Sequence, residues 1–250
     1  MKRARIYHRG RDIWVRVSQD EQSLILPNGS SIPAASAQWL PPVVHGAAVY
    51  ALGLNFADHN KELGFAPKLA TPLVFMKGGN CFVGHEGDTP RPADGNQMHP
   101  ECELVAVIGR PAHNVAEAEA LACVSGYTVA NDYAIREYLE NYYRPNARVK
   151  NRDATTPIGP WIVDAADVPD PQALKLTTHV NGELVQDGTT ADMIMSVADL
   201  VAYLSRHTTL MPGDMILTGT PQGVHFCAPG DTVVTQVESV GRLVNHLIAA

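Results

Sequence analysis

Hydrophobic residues along this chain follow the periods of β-strands more often than the period of a helix. Ile13, Val15 and Val17 alternate with polar or aromatic residues, which is the pattern of a half-buried strand. Asn181-Gly182 stands between two short β-type runs and predicts a two-residue hairpin turn. Apolar runs bounded by turn residues predict strands at 48–54, 72–76, 102–108, 127–130, 175–180, 183–185, 215–218, 232–237 and 241–248. Helices are predicted at 116–124, 135–143 and 197–207, so the chain is expected to adopt an α+β fold with a largely β core.

A connector rich in proline and serine divides the chain into a short and a long part. It runs from Pro27 to Pro42 and contains no long apolar run. Since 250 residues are enough for one or two domains, we predict a small N-terminal β unit with its connector at residues 1–45. The main domain is predicted at residues 46–250.

Composition and charge narrow the classes of protein. The chain has 19 basic and 26 acidic residues, a net charge of −7, which argues against a general nucleic-acid binder. No apolar run approaches the length of a membrane span, and charged residues interrupt the N-terminal segment before a secretory signal could form. The four cysteines are scattered without a Cys-x-x-Cys pair, so we expect reduced thiols in a cytoplasmic protein with no membrane partner; they are Cys81, Cys102, Cys123 and Cys227.

An acidic pair stands at the start of the most strongly hydrophobic strand. Glu101 and Glu103 are two residues apart, and alternate residues of a strand point to the same face. Two carboxylates on one face beside an apolar run are costly unless a cation neutralises them, and Mg²⁺ prefers such oxygen ligands. Asp132 follows another apolar strand and is the candidate third ligand. The alternative is a solvent-facing strand edge without a metal.

Two further segments carry groups suited to catalysis. His59 and Glu62 are spaced i, i+3, so on a helical turn the carboxylate could orient the imidazole as a general acid or base. The glycine-rich segment at 218–223 offers the Thr220 hydroxyl and backbone N–H groups that can hold a carboxylate. A routine surface pair and an ordinary turn are the respective alternatives.

Together these residues resemble the fumarylacetoacetate hydrolase family. Seven segments stand in the family's order and span residues 46–248: GLNFADHNKELG (53–64), PLVFMKG (72–78), HPECELVAVIG (99–109), GYTVANDYAIRE (126–137), RVKNRDATTPIGP (148–160), VNGELVQDG (180–188) and PGDMILTGTPQGV (212–224). One motif alone would be a weak signal, whereas seven in order are a strong one. The resemblance implies a mixed, mostly β roll or sandwich.

The resemblance also implies a cofactor and a set of site residues. It implies a divalent metal, Mg²⁺ or Mn²⁺, whose ligands are Glu101, Glu103 and Asp132. The implied catalytic residues are His59, Glu62 and Lys150, with His59 and Glu62 on a segment that orders over the substrate. The implied substrate contacts are Arg136, Thr220 and Lys77, of which Lys77 could instead support the wall of the site. The family likeness further implies a homodimer, alone or beside a separate N-terminal-type subunit.

Within the family, residues 131–153 and 181–205 resemble the isomerase/decarboxylase members of 4-hydroxyphenylacetate (homoprotocatechuate) breakdown. That likeness implies decarboxylation of 5-oxopent-3-ene-1,2,5-tricarboxylate, isomerisation of the resulting dienol, or both. Many hydrolytic members carry a glutamine where this chain has Leu139, followed by Tyr142 and Tyr143. Loss of that amide favours the decarboxylase/isomerase branch.

Two other functions stay open at this point. One is a metal-dependent acylpyruvate hydrolase or an oxaloacetate-type decarboxylase of the same family. The other is a non-catalytic β-rich binding module, against which the presence of His59, Glu62 and Lys150 beside the acidic triad argues.

Overall fold

Nineteen strands, four short α-helices and six 3₁₀ turns account for the regular structure in the computed structural model, which describes residues 1–64, 71–139 and 147–250. Tyr142 and Tyr143 lie outside the described residues. The strands are β1 Lys2–His8, β2 Arg11–Val17, β3 Ser23–Ile25, β4 Ser31–Pro33, β5 Gln38–Leu40, β6 Val49–Gly53, β7 Leu73–Met76, β8 Phe82–Val83, β9 Gly87–Arg91, β10 Met98–His99, β11 Cys102–Ile108, β12 Val124–Asn131, β13 Ala134–Ile135, β14 Thr156–Asp164, β15 Lys175–Val180, β16 Glu183–Thr189, β17 Met215–Leu217, β18 Thr232–Val237 and β19 Gly241–Ala249. The helices are α1 Ala57–Glu62, α2 Glu117–Ala120, α3 Ala147–Lys150 and α4 Val197–Ser205.

The larger sheet extends from the N-terminal strands to the strands that carry the acidic residues. Its order is β4-β3-β2-β1-β14-β12-β11-β17-β6-β7, with β5 on β1 and β8 on β14. Because β1 pairs with β14, the N-terminal strands continue the sheet of the main part. A domain boundary near residue 45 stays a prediction.

A smaller sheet packs against the larger one and completes the α+β, mostly β fold that the sequence predicted. Its order is β16-β15-β18-β19-β9, and its buried face includes Leu176, Val237 and Leu243, which join Leu104 and Ala106 of β11 in the main core. Every residue of β11 is buried, because β12 and β17 flank the strand and apolar layers cover both of its faces. No helix within the described residues is both long and apolar enough to cross a bilayer.

Several predicted elements are confirmed. The strand predicted at 102–108 is β11, and Asn181 and Gly182 both have positive φ (51° and 88°) in the turn between β15 and β16, as a type I′ hairpin requires. Helix α4 begins where predicted because Ser196 and Asp199 form a reciprocal capping box.

One predicted helix is wrong in the residues that the structure describes, and one long strand was not predicted. Residues 135–143 were expected to be helical, but in the described residues 135–139 β13 is followed by a single 3₁₀ turn at Arg136–Tyr138, and 140–143 lie outside the described residues. Pairing of β13 with β10 and the bond from Arg136 N to Gln97 O tie this segment to another strand. The nine-residue strand β14 was not predicted, because Pro157, Gly159 and Pro160 obscure its apolar pattern.

Candidate active site

Antiparallel pairing of β11 with β12 brings the three acidic residues together. Cys102 lies opposite Asn131 and Glu103 opposite Ala130, so Glu101, just before β11, faces Asp132, just after β12. The backbone N–H of Asp132 donates to the Glu101 carbonyl at 2.9 Å. Residues far apart in the chain therefore meet at one edge of the sheet.

The acidic triad of Glu101, Glu103 and Asp132 is tightly clustered and buried. One carboxylate oxygen from each residue lies within 4.8 Å of the other two. The exposed fractions are 7%, 1% and 0%. Three carboxylates so placed repel one another and lose hydration, so positive charge is needed to hold them ionised.

Two lysines supply part of that charge. Lys77 Nζ donates to Asp132 Oδ1 at 2.7 Å, and Lys150 Nζ donates to Glu101 Oε2 and, at 2.9 Å, to the Asp132 carbonyl. Burial lowers the pKa of Lys150, but the charges of Asp132 and Glu101 outweigh burial and raise it above the usual value. Lys150 is therefore a fixed cation and not a proton acceptor at neutral pH.

The two glutamates of the triad have opposite electrostatic surroundings. Burial opposes ionisation of Glu101, but Lys150, followed by His99 and Arg136, lowers its pKa to about 2. Burial and the charges of Asp132 and Glu101 raise the pKa of Glu103 well above its usual value. Glu103 forms no ion pair with any described residue, so its charge is the least compensated of the three.

The arrangement fits a hard divalent cation. Asp132 Oδ2 lies 3.0 Å from Lys150 Nζ, yet it is buried and accepts no aligned hydrogen bond in the described part of the chain. This oxygen and the uncompensated Glu103 carboxylate are oxygen donors of the kind that Mg²⁺ and Mn²⁺ take. Glu101, Glu103 and Asp132 are the residues that could hold such an ion.

A buried histidine that the sequence reasoning did not single out holds Arg136 beside the triad. The Pro100 carbonyl, 3.2 Å from His99 Nδ1, can only accept, so Nδ1 carries the proton. His99 Nε2 then accepts from Arg136 Nε at 2.7 Å, while Arg136 Nη2 lies 3.4 Å from Glu101 Oε1. Burial lowers the pKa of His99 to about 3, which keeps this acceptor available. The sequence signal that could have identified His99 is its position two residues before Glu101.

Helix α1 presents a histidine–carboxylate pair next to the triad. His59 is 4% exposed, and its Nδ1 lies 3.0 Å from Glu62 Oε2. Glu62 also accepts from Gly223 N (3.1 Å) and Val224 N (2.9 Å). Burial opposes its ionisation, but these bonds and the contact with His59 lower the pKa of Glu62.

The state of His59 follows from this pairing. Burial lowers the pKa of His59, while the negative charges of Glu101 and Glu62 oppose that effect. Because the Glu62 carboxylate can only accept, Nδ1 carries the hydrogen of the neutral ring. His59 Nε2 is then an unprotonated nitrogen that can take a proton.

The turn after β17 closes the site from the other side. Pairing of β17 with β11 aligns this turn with the triad, and Gly219 N donates to Glu103 Oε2 at 2.7 Å. Gly219 has a φ of 93°, and a Cβ there would lie 3.0 Å from Asn55 Cβ, so the turn requires glycine. Thr220 follows and is 5% exposed.

These elements surround one partly open cavity. Five of the nine residues predicted for the site line it: His59, Glu101, Arg136, Lys150 and Thr220. Glu103 and Asp132 lie beside Glu101 in the triad, and Glu62 contacts His59. Lys77 is not among the lining residues and instead contacts the Asp132 carboxylate. The rest of the wall is mostly apolar and includes Leu63, Leu73, Phe75, Leu139 and Val149.

A mostly β fold in which a buried acidic triad that could hold a divalent metal lies near a histidine–glutamate pair defines the class of protein with which this chain can be compared. The family model for the C-terminal domain of fumarylacetoacetate hydrolase matches residues 48–248. The chain belongs to the fumarylacetoacetate hydrolase family.

Individual relatives narrow the comparison. The 4-hydroxyphenylacetate degradation bifunctional isomerase/decarboxylase of Salmonella dublin is 57% identical over 207 residues, which are 83% of this chain and 48% of the relative. The chain thus spans about half the length of that relative.

Solved structures of known proteins have the same fold. The 5-carboxymethyl-2-hydroxymuconate delta-isomerase of Mycobacterium smegmatis is 34% identical with a TM-score of 0.86, covering 100% of this chain and 99% of its own. The fumarylpyruvate hydrolase of Pseudomonas aeruginosa, in complex with Mn²⁺ and pyruvate, is 31% identical with a TM-score of 0.75, covering 83% and 95%.

Proposed function

We propose that this chain is a divalent-metal-dependent enzyme that acts on unsaturated 2-oxo di- and tricarboxylates of homoprotocatechuate catabolism. The reactions are decarboxylation of 5-oxopent-3-ene-1,2,5-tricarboxylate to 2-hydroxyhepta-2,4-diene-1,7-dioate, isomerisation of that dienol to 2-oxohept-3-ene-1,7-dioate, or both. The 57% identity to a bifunctional isomerase/decarboxylase supports the substrate class. We further infer a cytoplasmic homodimer, alone or beside a separate N-terminal-type subunit. Light scattering on the purified chain tests the homodimer.

The observation that carries the proposal is the convergence of three kinds of group on one cavity. A buried acidic triad lies within 4.8 Å, fixed cations contact it, and a neutral imidazole faces the same space. A binding module has no need of an oriented proton acceptor beside a metal site. Metal-assisted enolate chemistry uses all three kinds of group.

Each protein group has a defined task in the proposed reaction. A bound Mg²⁺ or Mn²⁺ ion would supply a Lewis acid that polarises the 2-oxo group of the substrate. Arg136, oriented by His99, binds a substrate carboxylate through the two parallel bonds that a guanidinium allows. Lys150 supplies a further positive charge at the same end of the cavity.

Proton movement falls to His59. In decarboxylation the C–C bond to the departing CO₂ breaks, its electron pair enters the conjugated system and leaves an enolate at the 2-oxo oxygen, and this oxygen takes up one proton from water to give the dienol. In isomerisation the proton of the dienol oxygen is removed and a carbon of the chain is protonated. His59 Nε2 carries out these transfers, while Glu62 keeps Nδ1 as the protonated nitrogen.

The test follows CO₂ release and ultraviolet absorbance together on the tricarboxylate, with and without Mg²⁺. We expect metal-dependent CO₂ release, a change in the diene absorbance, and loss of both in Glu103→Ala with the fold retained. His59→Ala should slow the isomerisation while metal binding persists.

A hydrolase is the second candidate, favoured by the 31% identity to fumarylpyruvate hydrolase. Leu139 presents an apolar wall to the cavity, which offers no amide to position a hydrolytic water. To test this second candidate, the same assay is also run with acylpyruvates and with oxaloacetate as substrates. Hydrolysis of an acylpyruvate with no CO₂ released from the tricarboxylate would replace the leading proposal.

A further inference from the structure

Gln186 of β16 connects β11, the strand that carries Glu103, to the turn that carries Thr220. The residue is 2% exposed, and its side-chain amide makes four hydrogen bonds. Oε1 accepts from Cys102 N at 3.1 Å and from Thr178 Oγ1 at 2.8 Å, while Nε2 donates to Thr220 Oγ1 at 3.0 Å and to the Pro221 carbonyl at 3.1 Å. This uses both donors and both lone pairs of the amide.

Two backbone groups determine which way this amide points. The N–H of Cys102 can only donate, so it must face the amide oxygen of Gln186. The carbonyl of Pro221 can only accept, so it must face the amide nitrogen. Exchange of Oε1 and Nε2 would place the amide nitrogen against the N–H of Cys102, donor against donor, and the amide oxygen against the carbonyl of Pro221, acceptor against acceptor. Both contacts are strongly unfavourable inside the protein.

The orientation of the amide sets the polarity of the Thr220 hydroxyl. Because Nε2 of Gln186 has only hydrogens to offer, Thr220 Oγ1 is the acceptor in their bond. In the described part of the chain Thr220 Oγ1 has no second hydrogen-bond partner, and Thr220 lines the cavity. Its own hydrogen is therefore free to be donated to a ligand there.

We propose that Gln186 is a positioning residue that holds the Thr220 hydroxyl as a hydrogen-bond donor toward a carboxylate oxygen of a bound 2-oxo acid. This inference rests on the proposed function in taking a 2-oxo acid as the ligand. Cys102, on the acceptor side of the same amide, lies between Glu101 and Glu103. Gln186 thus sets the distance between β11 and the Thr220 hydroxyl that contacts the ligand.

The test measures pyruvate binding by calorimetry to the full chain loaded with Mn²⁺, so that it needs no turnover. Gln186→Met removes the amide, and Thr220→Val removes the hydroxyl. Each change should weaken pyruvate binding about tenfold or more, since Thr220→Val removes the hydrogen bond to a charged group and Gln186→Met removes the amide that orients this hydroxyl. The double variant should bind pyruvate about as weakly as either single variant, because both act through one hydroxyl.

A matched control lies on the other side of the amide. Thr178→Val removes a buried hydroxyl that bonds to Oε1 and leaves the Nε2 side intact, so we expect lower thermal stability with pyruvate affinity within about twofold. Affinity for Mn²⁺ alone should stay within about threefold in every variant. If Gln186→Met does not fold, Gln186→Glu replaces it, because it keeps the acceptor for Cys102 and loses the donor.

Three results would overturn the inference. One is normal pyruvate affinity in Gln186→Met with only the melting temperature lowered, which would show a structural role. Another is a double variant whose losses multiply. The third is no pyruvate binding by the unmodified Mn²⁺-loaded chain. The CO₂-release assay tests the proposed reaction separately, so failure of either conclusion can be distinguished from failure of the other.

Discussion

Replacing either glutamate of the acidic triad by glutamine should change the stability of the metal-free protein in opposite directions. Glu103 forms no ion pair with any described residue and its pKa is raised, whereas Glu101 contacts Lys150 and Arg136. Glu103→Gln removes a repelled charge and keeps an oxygen to accept from Gly219. Glu101→Gln removes the charge that Lys150 and Arg136 face.

The size of each effect follows from the charges. Like charges no more than 4.8 Å apart repel by at least about 3 kcal/mol at an effective dielectric constant of about 20. Nearby cations offset much of this, so we expect Glu103→Gln to stabilise the metal-free protein by about 1–2 kcal/mol. For Glu101 the pKa falls from 4.5 to about 2, which at about 1.4 kcal/mol per pKa unit corresponds to a loss on the order of 3 kcal/mol.

Thermal unfolding at pH 7.5 measures both changes. A stability change of 1 kcal/mol moves the melting temperature of a chain of this size by about 2–4 °C. In EDTA, Glu103→Gln should therefore melt about 2–8 °C above the unmodified protein, and Glu101→Gln about 6–12 °C below it. Mn²⁺ at about 100 times its Kd should stabilise the unmodified protein by about 2.7 kcal/mol and neither variant.

The pH dependence provides an independent check. The raised pKa of Glu103 means that its ionised form destabilises the fold at any pH above the unfolded value of about 4.3. The advantage of Glu103→Gln should therefore disappear near pH 4, where the residue is protonated in both states. A Glu103→Gln protein that melts below the unmodified protein in EDTA at pH 7.5, or one that keeps the full gain from Mn²⁺, would refute this reasoning.

Three further expectations concern the proton acceptor, the anion-binding arginine and the core. Glu62→Gln removes a charge that raises the pKa of His59. On the acidic side of the pH profile of kcat, activity rises as His59 loses its proton, and this rise should move down by about one pH unit in the variant. An unchanged profile would exclude His59 as the titrating base. Arg136→Lys cannot keep both the bond to His99 and a two-point carboxylate contact, so KM for the tricarboxylate should rise about 10–100-fold, and an unchanged KM would argue against this contact. Leu200→Ala in α4 removes a fully buried side chain and should lower the free energy of unfolding by about 2–5 kcal/mol with KM unchanged, which separates stability from site effects.

Prediction from sequence worked best where one local pattern decides the structure. The run of β11 is apolar on both faces, and the Asn181-Gly182 turn needs only two residues with positive φ. Prediction failed where distant contacts outweigh local pattern. Residues 135–143 have helical composition, but at the described start of this segment β13 pairs with β10, and the Gln97 carbonyl accepts the N–H of Arg136.

By itself the sequence determined the chemical types of the site and their local spacing. Glu101 and Glu103 are two residues apart at the start of β11, and His59 and Glu62 lie within one turn of α1, so elementary geometry already places both members of each pair on one face. The motif order further identified the family, which the match over residues 48–248 confirms.

Only the tertiary structure decided how those groups are charged and oriented. Lys150 meets Glu101 across 49 residues, Gln186 meets Cys102 across 84 and Gly219 meets Glu103 across 116. Which carboxylate gains a cation, and which way a buried amide points, depends on partners that sheet pairing supplies. No local pattern encodes such partners, because burial and electrostatic interactions depend on distance in space and not on separation along the chain.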